Sequence, residues 1–400
     1  MQKKMMILGA SELQLPAIRK AKELGYQVIL VDYNDKAVGF SLADIKLVVS
    51  TLDQEEVYRQ ALIYQPDVVL TSASDGPVRT AAYVNEKLGK RPDLSYEDSL
   101  CATIKSYMRD RLKENHVPIP EYYAVRNFEE FKMAVNILKG SCIVKPADNA
   151  GSRGVVLLDD EISQSGKELR RIYKYSKENS RNGTVMVEEF MTGPEVSVEA
   201  MTVEGETTIL TITDKFITPP PYFVEIAHCE PSMLREDIQE SIRQVAFSAI
   251  AAIRLQNGPS HTEIKVTEAG PKIVELAARL GGDYITSKLV PLSTGVDMVG
   301  ASILLATGQN VELESKWQKG AAIHFIQGEE GVIKNITIDD ALYYLKGIEE
   351  VVIYKKAGDS VHGTRSSNDR LGHIITVGEN AKEALEAGKK ALAFVHVEIE

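Results

Sequence analysis

The chain contains 400 residues, of which 44% are hydrophobic and 26% are charged, and this composition excludes disordered, collagen-like and coiled-coil proteins. At about 100 to 200 residues per domain, the length predicts two to four domains. The 46 basic and 57 acidic residues give a formal net charge of -11. Such a charge disfavours a nucleic-acid or anionic-membrane partner, but it allows a local basic pocket for a small phosphorylated ligand.

The cysteines and the N-terminus indicate the compartment. Cys101, Cys142 and Cys229 are far apart and lack CxxC spacing, so neither a disulfide framework nor a zinc knuckle is predicted. The first apolar stretch, residues 5–10, is too short for the core of a signal peptide. No segment approaches the roughly 20 apolar residues that a membrane span needs. We therefore expect a soluble cytoplasmic protein.

The first 97 residues have the pattern of a small parallel-sheet domain. Apolar runs and helical spacing predict strand 4–8, helix 13–24, strand 28–31, helix 55–64 and strand 67–70. Strands that alternate with helices form βαβ units, whose strands lie parallel. Gly9 and Asp32 stand where a dinucleotide fingerprint has such residues, but residues 9–14 supply only one of its three glycines. Nicotinamide or flavin binding is therefore disfavoured.

A second unit begins after Pro118 and Pro120, which follow a predicted helix at 99–115. The pattern then predicts strand 122–125, helix 128–138, strand 142–145, a hydrophilic stretch at 163–183, strands 185–189 and 195–202, a hairpin partner at 207–213, helix 237–254, and paired strands 262–266 and 272–275. Residues 215–232 contain three consecutive prolines and are predicted as a long loop, which is usually functional. A final α+β segment from about residue 311 ends in helix 381–393 and strand 395–399.

Lys145 ends a buried strand and is followed by a loop that contains Gly151, Ser152 and Gly154. Lysine supplies a point charge, and the backbone N–H groups that the glycines expose can surround phosphate oxygens. The Walker pattern is absent. On this segment alone, a phosphate-binding loop and an ordinary glycine turn both remain open.

Two predicted strands flank Gly193 and Pro194, with carboxylates at the entrance and the exit of the turn. A chain reversal exposes backbone groups that could read an adenine edge, and Glu195 could accept hydrogen bonds from ribose hydroxyls. The alternative is a hairpin whose glutamates are simply solvated.

Glu263 and Glu275 occupy matched positions on two adjacent apolar strands, so they are expected side by side on one sheet face. Repulsion disfavours this arrangement unless a cation lies between them, and Mg²⁺ prefers such oxygen ligands. Arg279 follows four residues after Glu275 and can bind a phosphoryl or carboxylate group with its two-pronged guanidinium. The alternative is a pair of exposed glutamates beside Lys265 and Lys272.

In order and rough spacing, Lys105, Lys145 with its glycine loop, the segment from Glu188 to Glu195, and Glu263 with Glu275 resemble the ATP-grasp superfamily of carboxylate-amine ligases. The resemblance covers residues 1–310 and extends more weakly to a C-terminal domain like those of biotin carboxylase and phosphoribosylglycinamide synthetase. It implies an α/β (α+β) ATP-grasp fold. Its parts would be a parallel-sheet pre-ATP-grasp domain at 1–97, a two-lobed ATP-grasp domain at 98–310 with a mobile lid lobe at about 120–190, and a small α+β domain at 311–400.

The resemblance also implies residue roles and cofactors, namely ATP and Mg²⁺ or Mn²⁺. The ATP-binding residues would be Lys105, Lys145, Gly151, Ser152, Gly154, Glu188, Glu189, Met191, Glu195 and Lys215. Glu263 and Glu275 would hold the metal, and Arg279 would act with Lys145 on the transferred phosphoryl group. One position departs from the usual Glu-x-Asn-x-Arg pattern, because Ala277 cannot coordinate a metal through its side chain. Water or another residue must complete the shell, or a second metal ion is held less tightly.

Within the superfamily, the residues around His261 and after Arg279 look most like the branch of L-amino-acid ligases and carnosine synthases. This likeness implies that a carboxylate, such as that of an amino acid, is joined to an amine through an acyl phosphate. The substrate candidates are His228, His261, Gly281 and Gly282. For His228, a solvent-exposed loop histidine is the alternative interpretation. Rival functions are a purine-pathway ligase or carboxylase of the same superfamily and a non-catalytic ATP-binding protein, and the family also allows a homodimer.

Overall fold

The computed structural model describes residues 2–90, 93–149, 151, 153–159 and 165–400. Ser152, predicted for the phosphate loop, lies outside the described residues. The described N-terminal residues form a four-stranded parallel sheet in the order β3-β2-β1-β4. Its strands are β1 Lys4–Leu8, β2 Gln27–Asp32, β3 Ile45–Val48 and β4 Val68–Thr71, and its helices are α1 Leu15–Glu23, α2 Gln54–Tyr64 and α3 Gly76–Lys87.

Strand β1 shows why this sheet is parallel and covered on both faces. Met5 and Ile7 pack into one apolar cluster, whereas Met6 and Leu8 pack into another on the opposite face. Successive strand side chains alternate between faces, so a strand that is apolar throughout must be covered on both sides. The predicted βαβ pattern is confirmed, and the short strand β3 was missed.

The region of the predicted lid lobe contains its own antiparallel sheet, with the order β5-β8-β6-β7 among the described residues. Its elements are β5 Tyr122–Val125, α6 Phe128–Leu138, β6 Cys142–Pro146, β7 Val156–Leu158, α7 Gly166–Glu178 and β8 Val185–Glu189. Helix α7 lies in the stretch that we described only as hydrophilic. It buries Leu169, Ile172 and Tyr173, which form a narrow apolar stripe on one face. Because so few apolar residues form this stripe, the segment as a whole is hydrophilic. The predicted helix at 99–115 is two helices, α4 Tyr96–Cys101 and α5 Lys105–Glu114.

A larger sheet supports the rest of the chain, with the order β13-β12-β9-β10-β11-β14-β18-β16 among the described residues. Its strands are β9 Glu195–Val203, β10 Glu206–Ile217, β11 Glu225–Glu230, β12 Gly258–Thr267, β13 Gly270–Ala277, β14 Gly320–Ile326, β16 Ile348–Ile353 and β18 Gly372–Gly378. Helix α8 Glu236–Ala252 packs on one face of this sheet, within an apolar cluster that also contains Val198 and Ile264. Because β14 pairs with β11, the predicted C-terminal domain shares this sheet with the ATP-grasp region.

The remaining elements are α9 Val290–Thr294, α10 Met298–Ala306, α11 Ala381–Leu392, and strands β15 Glu330–Ile338, β17 Ser360–His362 and β19 Val395–Ile399. The last three strands form a small separate sheet. Single helical turns occur at Glu12–Gln14, Val38–Leu42, Ile285–Leu289, Asp340–Tyr344 and Ser367–Asp369. No single described helix is long and apolar enough to cross a membrane. The segments Ile285–Thr294 and Met298–Ala306 would be long and apolar enough if taken together, but the chain bends by 113° between them.

Two expectations about connections were wrong. Residues 215–232 are not one long loop, because β10 continues to Ile217 and β11 begins at Glu225. The prolines therefore interrupt only residues 218–224, while pairing with neighbouring strands holds the rest extended. Strands β8 and β9 do not form a hairpin, since β8 pairs with β5 and β6 whereas β9 pairs with β10 and β12. The segment between them instead links two different sheets.

Candidate active site

A cleft lies between the lid-lobe sheet and the large sheet, and it encloses about 980 Å³ of space, part of it open to solvent. Nine of the predicted ATP and metal residues line it: Lys105, Lys145, Gly151, Glu188, Glu189, Met191, Glu195, Glu263 and Glu275. Its apolar lining consists of Ile143, Val155, Phe190, Met191, Ile217, Phe223 and Val274. An apolar slot with convergent charged groups is typical of a small-molecule site.

The cationic side of the cleft is built around a buried ion-pair network. The Glu188 carboxylate accepts hydrogen bonds from Arg109 through both Nε and Nη2 at 3.0 Å, and Lys145 Nζ lies 2.8 Å from Glu188 Oε2. Burial lowers the pKa of Lys145, although Glu188 acts in the opposite direction. The side chain of Glu188 therefore anchors Lys145. Arg109 was missed, because a polar helix gives no sign of a buried arginine.

The Glu188 network gives a pH prediction. Burial would raise the pKa of Glu188, but Arg109 and Lys145 lower it to about 2. A carboxyl group whose pKa is lower in the folded than in the unfolded protein stabilises the fold. For Glu188 this stabilisation is complete above the unfolded pKa of about 4.3, and it is lost as the pH falls through the folded pKa of about 2. We expect the difference in unfolding free energy between the wild type and Glu188→Gln to shrink steadily from pH 5 to pH 2, as measured by urea titration. A constant difference would contradict this assignment.

Glu263 and Glu275 lie directly opposite each other on β12 and β13, as predicted. Lys215 Nζ lies 2.6 Å from Glu263 Oε1, and Lys105 Nζ lies 2.7 Å from Glu275 Oε1. Burial would raise the pKa of Glu263, but Lys215 and then His261 hold it well below its usual range. Burial would lower the pKa of Lys105, and Glu275 raises it above the ordinary value. The pair of carboxylates thus creates a place where positive charge is favoured.

Three further predicted ATP residues take part in ion pairs along the cleft. Glu195 lies 2.7 Å from Lys265 and 3.0 Å from Lys215, and Glu189 lies 2.9 Å from Lys272. Lys215 is buried on β10 rather than in a loop, and burial would lower its pKa, but Glu263, Glu195 and Glu225 raise it well above the usual value. Glu195, with 13% of its side chain exposed, is therefore not the solvated side chain of the alternative interpretation, whereas 41% of the Glu189 side chain is exposed.

The two described glycines of the predicted phosphate loop differ in their surroundings. Gly151 lines the cleft with a φ of +67°, and a Cβ added there would meet nothing within 4 Å. Gly154 does not line the cleft; with a φ of +80°, it leaves a Cβ only 2.6 Å from Pro146 and 2.7 Å from Asn179. A left-handed backbone and a close contact both require glycine at Gly154, which serves the packing of the loop.

His261 is buried and its Nδ1 lies 2.7 Å from Glu199 Oε1, while its Nε2 lies 3.5 Å from Glu263 Oε1. Burial would lower the pKa of His261, but Glu199 and Glu263 raise it to about 9. The imidazole therefore links the predicted metal carboxylate to a second, fully buried carboxylate. A Cβ on Gly281 would come within 2.8 Å of His261 Nδ1 and 3.0 Å of Glu199 Oε2.

This contact predicts that a side chain added at Gly281 lowers activity. Gly281→Ala is expected to displace His261 and to lower activity at least about tenfold, because overpacking a rigid site costs about 1–3 kcal/mol. Gly166→Ala, at the start of α7 and away from the cleft, is the control, since a Cβ added there would meet nothing within 4 Å. Steady-state ADP release measures both. Equal activities of the two variants would contradict the packing argument.

Arg279 lies beside this group and is tied to the N-terminal domain. Its Nε donates to Asp75 Oδ1 at 2.8 Å, its Nη2 lies 2.7 Å from the same oxygen, and its Nη1 donates to the carbonyl of Leu280. Asp75, at the start of α3, was missed because its position in the sequence indicates only a helix end. Arg279 is not itself part of the cleft lining, although the carboxylates Glu275 and Glu263 act on its charge.

The interpretation of His228 as a solvent-exposed loop residue was wrong, because His228 is buried on β11. Its Nε2 lies 3.3 Å from Asp283 Oδ2, and its Nδ1 has no hydrogen-bond partner. Arg370, which precedes β18, donates to both carboxylate oxygens of Asp283 and stacks on Phe325 with its guanidinium carbon 3.6 Å from the ring centroid. Arg370 also contacts Glu225, which lines the cleft. Arg370 and Asp283 were both missed.

Comparisons with known proteins agree with this geometry. The family model for the ATP-grasp domain matches residues 138–287, and the model for L-amino acid ligase C-terminal domain 2 matches residues 323–400. Residues 138–287 therefore form an ATP-grasp domain, the nucleotide-binding part of ATP-dependent carboxylate-amine ligases. The chain also carries the C-terminal domain of the L-amino acid ligases.

Two curated relatives illustrate the likeness in sequence. The chain is 29% identical over 287 residues to uncharacterized protein y4rH of Sinorhizobium fredii, which covers 70% of this chain and 58% of that protein. It is 27% identical over 373 residues to alanine–anticapsin ligase of Bacillus subtilis, which covers 83% of this chain and 77% of that protein. The first alignment thus spans little more than half of the relative.

Two crystal structures share the fold along the whole length of both chains. The L-amino acid ligase from Bacillus licheniformis has a TM-score of 0.84 at 20% identity, with 100% of each chain covered. The phosphoribosylglycinamide synthetase from Anaerococcus prevotii has a TM-score of 0.77 at 22% identity, also with 100% of each chain covered. At these identities the likeness establishes the ATP-grasp fold, and the substrates need a separate argument.

Proposed function

We propose that this protein joins a carboxylate, in particular that of an amino acid, to an amine in an ATP-dependent reaction that forms a peptide-like amide bond. The carboxylate oxygen attacks the γ-phosphorus of ATP, which gives ADP and an acyl phosphate. The amine nitrogen then attacks the acyl carbon, phosphate leaves and the nitrogen loses a proton. The similarity to L-amino acid ligases, in the C-terminal domain and in the alanine–anticapsin ligase, supports this choice of substrates.

The observation that carries the proposal is the arrangement of Glu263 and Glu275. These carboxylates lie opposite each other on adjacent strands and line the same cleft as Lys105 and Lys145. Two adjacent carboxylates repel each other unless a cation balances them. The nearby lysines serve as cations for a triphosphate, and the apolar slot at the cleft accommodates a base.

The donor set fits a nucleotide and a divalent metal ion. Glu263 and Glu275 provide hard oxygen ligands of the kind that Mg²⁺ or Mn²⁺ binds, and the ammonium groups of Lys215 and Lys105 lie against them where positive charge is favoured. Within the described residues, no group of three or more His, Cys, Asp or Glu side chains converges as a metal site. Ala277 adds no ligand at its position. We therefore assign the protein two metal ligands, with phosphate oxygens and water as the others.

The chain's own residues act mainly by electrostatics in the proposed mechanism. Lys145 is fixed by Glu188 and Arg279 by Asp75, and these two cations would neutralise charge on the transferred phosphoryl group. A bound divalent ion would add further neutralisation of the phosphate oxygens. Gly151 and residues of the lid-lobe sheet line the cleft and would help to keep water from the acyl phosphate.

The substrate end is assigned to the group around His228, His261 and the backbone of Gly281 and Gly282. His228 is buried, and its unpartnered Nδ1 is the kind of atom that a bound polar group satisfies. His261 approaches Glu263, so it connects this end to the proposed metal site.

An ADP-release screen over pairs of amino acids, with product masses recorded, tests the proposal. We expect ADP and a product whose mass equals the sum of the two amino acids minus water. Two parallel sets of assays use bicarbonate together with an amine, and single amino acids. They are included because the fold is shared with phosphoribosylglycinamide synthetase. Turnover only in those arms would support a purine-pathway type of ligase or a carboxylase. ATP binding by calorimetry without ADP from any mixture would identify a non-catalytic nucleotide-binding protein.

A further inference from the structure

Arg370 is a buried arginine of the C-terminal region, and with 4% of its side chain exposed it is bound on two sides. Its Nη1 and Nη2 donate to the two carboxylate oxygens of Asp283 at 2.8 and 2.9 Å. Its Nε and Nη2 donate to the backbone carbonyl of Glu225 at 3.2 and 2.9 Å. Arg370 therefore joins the start of β11, where Glu225 lies, to the segment that follows β13 and carries Asp283.

These contacts close a ring around His228. His228 lies on the same strand as Glu225, and its Nε2 is 3.3 Å from Asp283 Oδ2. The same carboxylate oxygen accepts a hydrogen bond from Arg370 Nη2. A two-pronged pair between a guanidinium and a carboxylate fixes the plane of the carboxylate. Arg370 therefore determines how the Asp283 carboxylate is presented to His228.

The backbone at Asp283 needs such support. Asp283 and Tyr284 have φ values of +51° and +62°, which lie in the left-handed region that residues other than glycine rarely adopt. Such conformations persist only where the surrounding structure holds them. Arg370 holds Asp283, and the ring of His373 on β18 packs against the ring of Tyr284 with the centroids 4.5 Å apart. The C-terminal region thus supports both left-handed residues.

The contact with Asp283 also determines which nitrogen of His228 carries hydrogen. Burial would raise the pKa of Asp283, but Arg370 and then His228 lower it below its usual range. An ionised carboxylate only accepts hydrogen bonds, so His228 Nε2 must be the donor. His228 Nδ1 is buried and has no hydrogen-bond partner within the described part of the chain. It is therefore the nitrogen that is left for a ligand.

We propose that Arg370 is a positioning residue that acts through Asp283 to hold His228 with hydrogen on Nε2 and with Nδ1 left for the substrate. The C-terminal region would in this way complete the substrate end of the site. This inference rests on the proposed function, since it assumes that His228 binds a substrate. It predicts that changes at Arg370 and at Asp283 alter His228 in the same way and are not additive.

Long-range ¹H–¹⁵N correlation spectra of the full-length protein labelled with ¹⁵N-histidine test the orientation of His228. The chain has seven histidines, and the signal of His228 is assigned by its loss in His228→Gln. We expect hydrogen on Nε2 in the wild type and a mixture of both tautomers in Arg370→Lys, because lysine cannot form the two-pronged pair. Asp283→Asn, in which asparagine tolerates the left-handed backbone, should change the signal likewise. The double variant should resemble Asp283→Asn alone.

Arg365→Lys is the matched control for the spectra. Arg365 lies in the same C-terminal region and pairs with Glu330 at 2.7 Å, but the two side chains are 49% and 66% exposed. A lysine there leaves the contacts of Arg370 and Asp283 unchanged. The His228 signal of Arg365→Lys should therefore match that of the wild type.

Turnover is measured as ADP release with the amino-acid pair that reacts fastest in the ADP-release screen. We expect Arg370→Lys to lower turnover by about tenfold to 10²-fold, since a small misplacement at a reacting site has an effect of this order. Combining Arg370→Lys with Asp283→Asn should lower turnover no further than Asp283→Asn alone. A purely structural role for Arg370 would instead add its own loss to that of Asp283→Asn.

A wild type whose His228 Nε2 carries no hydrogen, an unchanged His228 signal in Arg370→Lys, or additive losses of turnover would overturn the inference. Circular dichroism establishes folding, and if Arg370→Lys does not fold, Asp283→Asn gives the same reading, since it leaves Arg370 in place. No turnover from any pair would refute the proposed function and with it the substrate role of His228. Normal wild-type turnover with an unaffected Arg370→Lys would refute the inference alone.

Discussion

Replacing Arg279 with alanine is expected to reduce turnover by about 10²-fold or more while ATP binding stays largely intact. The expected size is that of removing one preorganised electrostatic contact from a transition state. Arg279 is already fixed by Asp75, so little reorganisation is needed when charge develops on the transferred phosphoryl group. ADP release measures turnover, and calorimetry with AMP-PNP measures binding.

Arg279→Lys provides a comparison for this prediction. Lysine keeps the positive charge but cannot hold Asp75 and a phosphoryl group at the same time with a planar two-sided fork. We therefore expect only a partial recovery of turnover relative to alanine. Unchanged turnover in Arg279→Ala would exclude the assigned role, and a parallel loss of AMP-PNP binding would move Arg279 from the chemical step to nucleotide binding.

Replacing Arg109 with alanine is expected to destabilise the protein by about 3–5 kcal/mol. Arg109 is fully buried and supplies two hydrogen bonds to Glu188 and one to the carbonyl of Val274. Removing one partner of a buried ion pair leaves the other charge uncompensated, which has an effect of this size. Glu188 would then be left with Lys145 as its remaining cationic contact. Urea unfolding at pH 7 measures the change in free energy.

Arg235→Ala is the matched control, because it removes an arginine from an ion pair with Asp237 that is 77% and 65% exposed. Exposed pairs contribute about 0–1 kcal/mol, so this variant should unfold almost like the wild type. If Arg109→Ala were no more destabilised than Arg235→Ala, the buried network would not be a structural requirement. Retained AMP-PNP binding in a folded Arg109→Ala protein would further show that Lys145 keeps its position without Arg109.

Periodicity predicted much of the fold because it reports burial directly. The alternation of strands and helices up to residue 70 identified the parallel sheet, and the helix at Phe128–Leu138 was predicted with its observed bounds. The pairing of Glu263 with Glu275 could also be predicted, since both lie on one hairpin and a two-residue period fixes which side chains share a face. Local pattern was insufficient between β8 and β9, where two neighbouring strands enter different sheets.

The parallel-sheet domain and the glutamate pair could be predicted from short segments whose periodicity reflects local geometry, and the ATP-grasp class from the resemblance of motifs in their order and spacing. Tertiary structure alone decided the partners of the charged groups. Arg109 meets Glu188 79 residues away, Asp75 meets Arg279 204 residues away, and Arg370 meets Asp283 87 residues away. A buried charge must find an opposite charge when water is removed, but any charged residue along the chain can supply it. Only the packing of sheets and domains selects which one does.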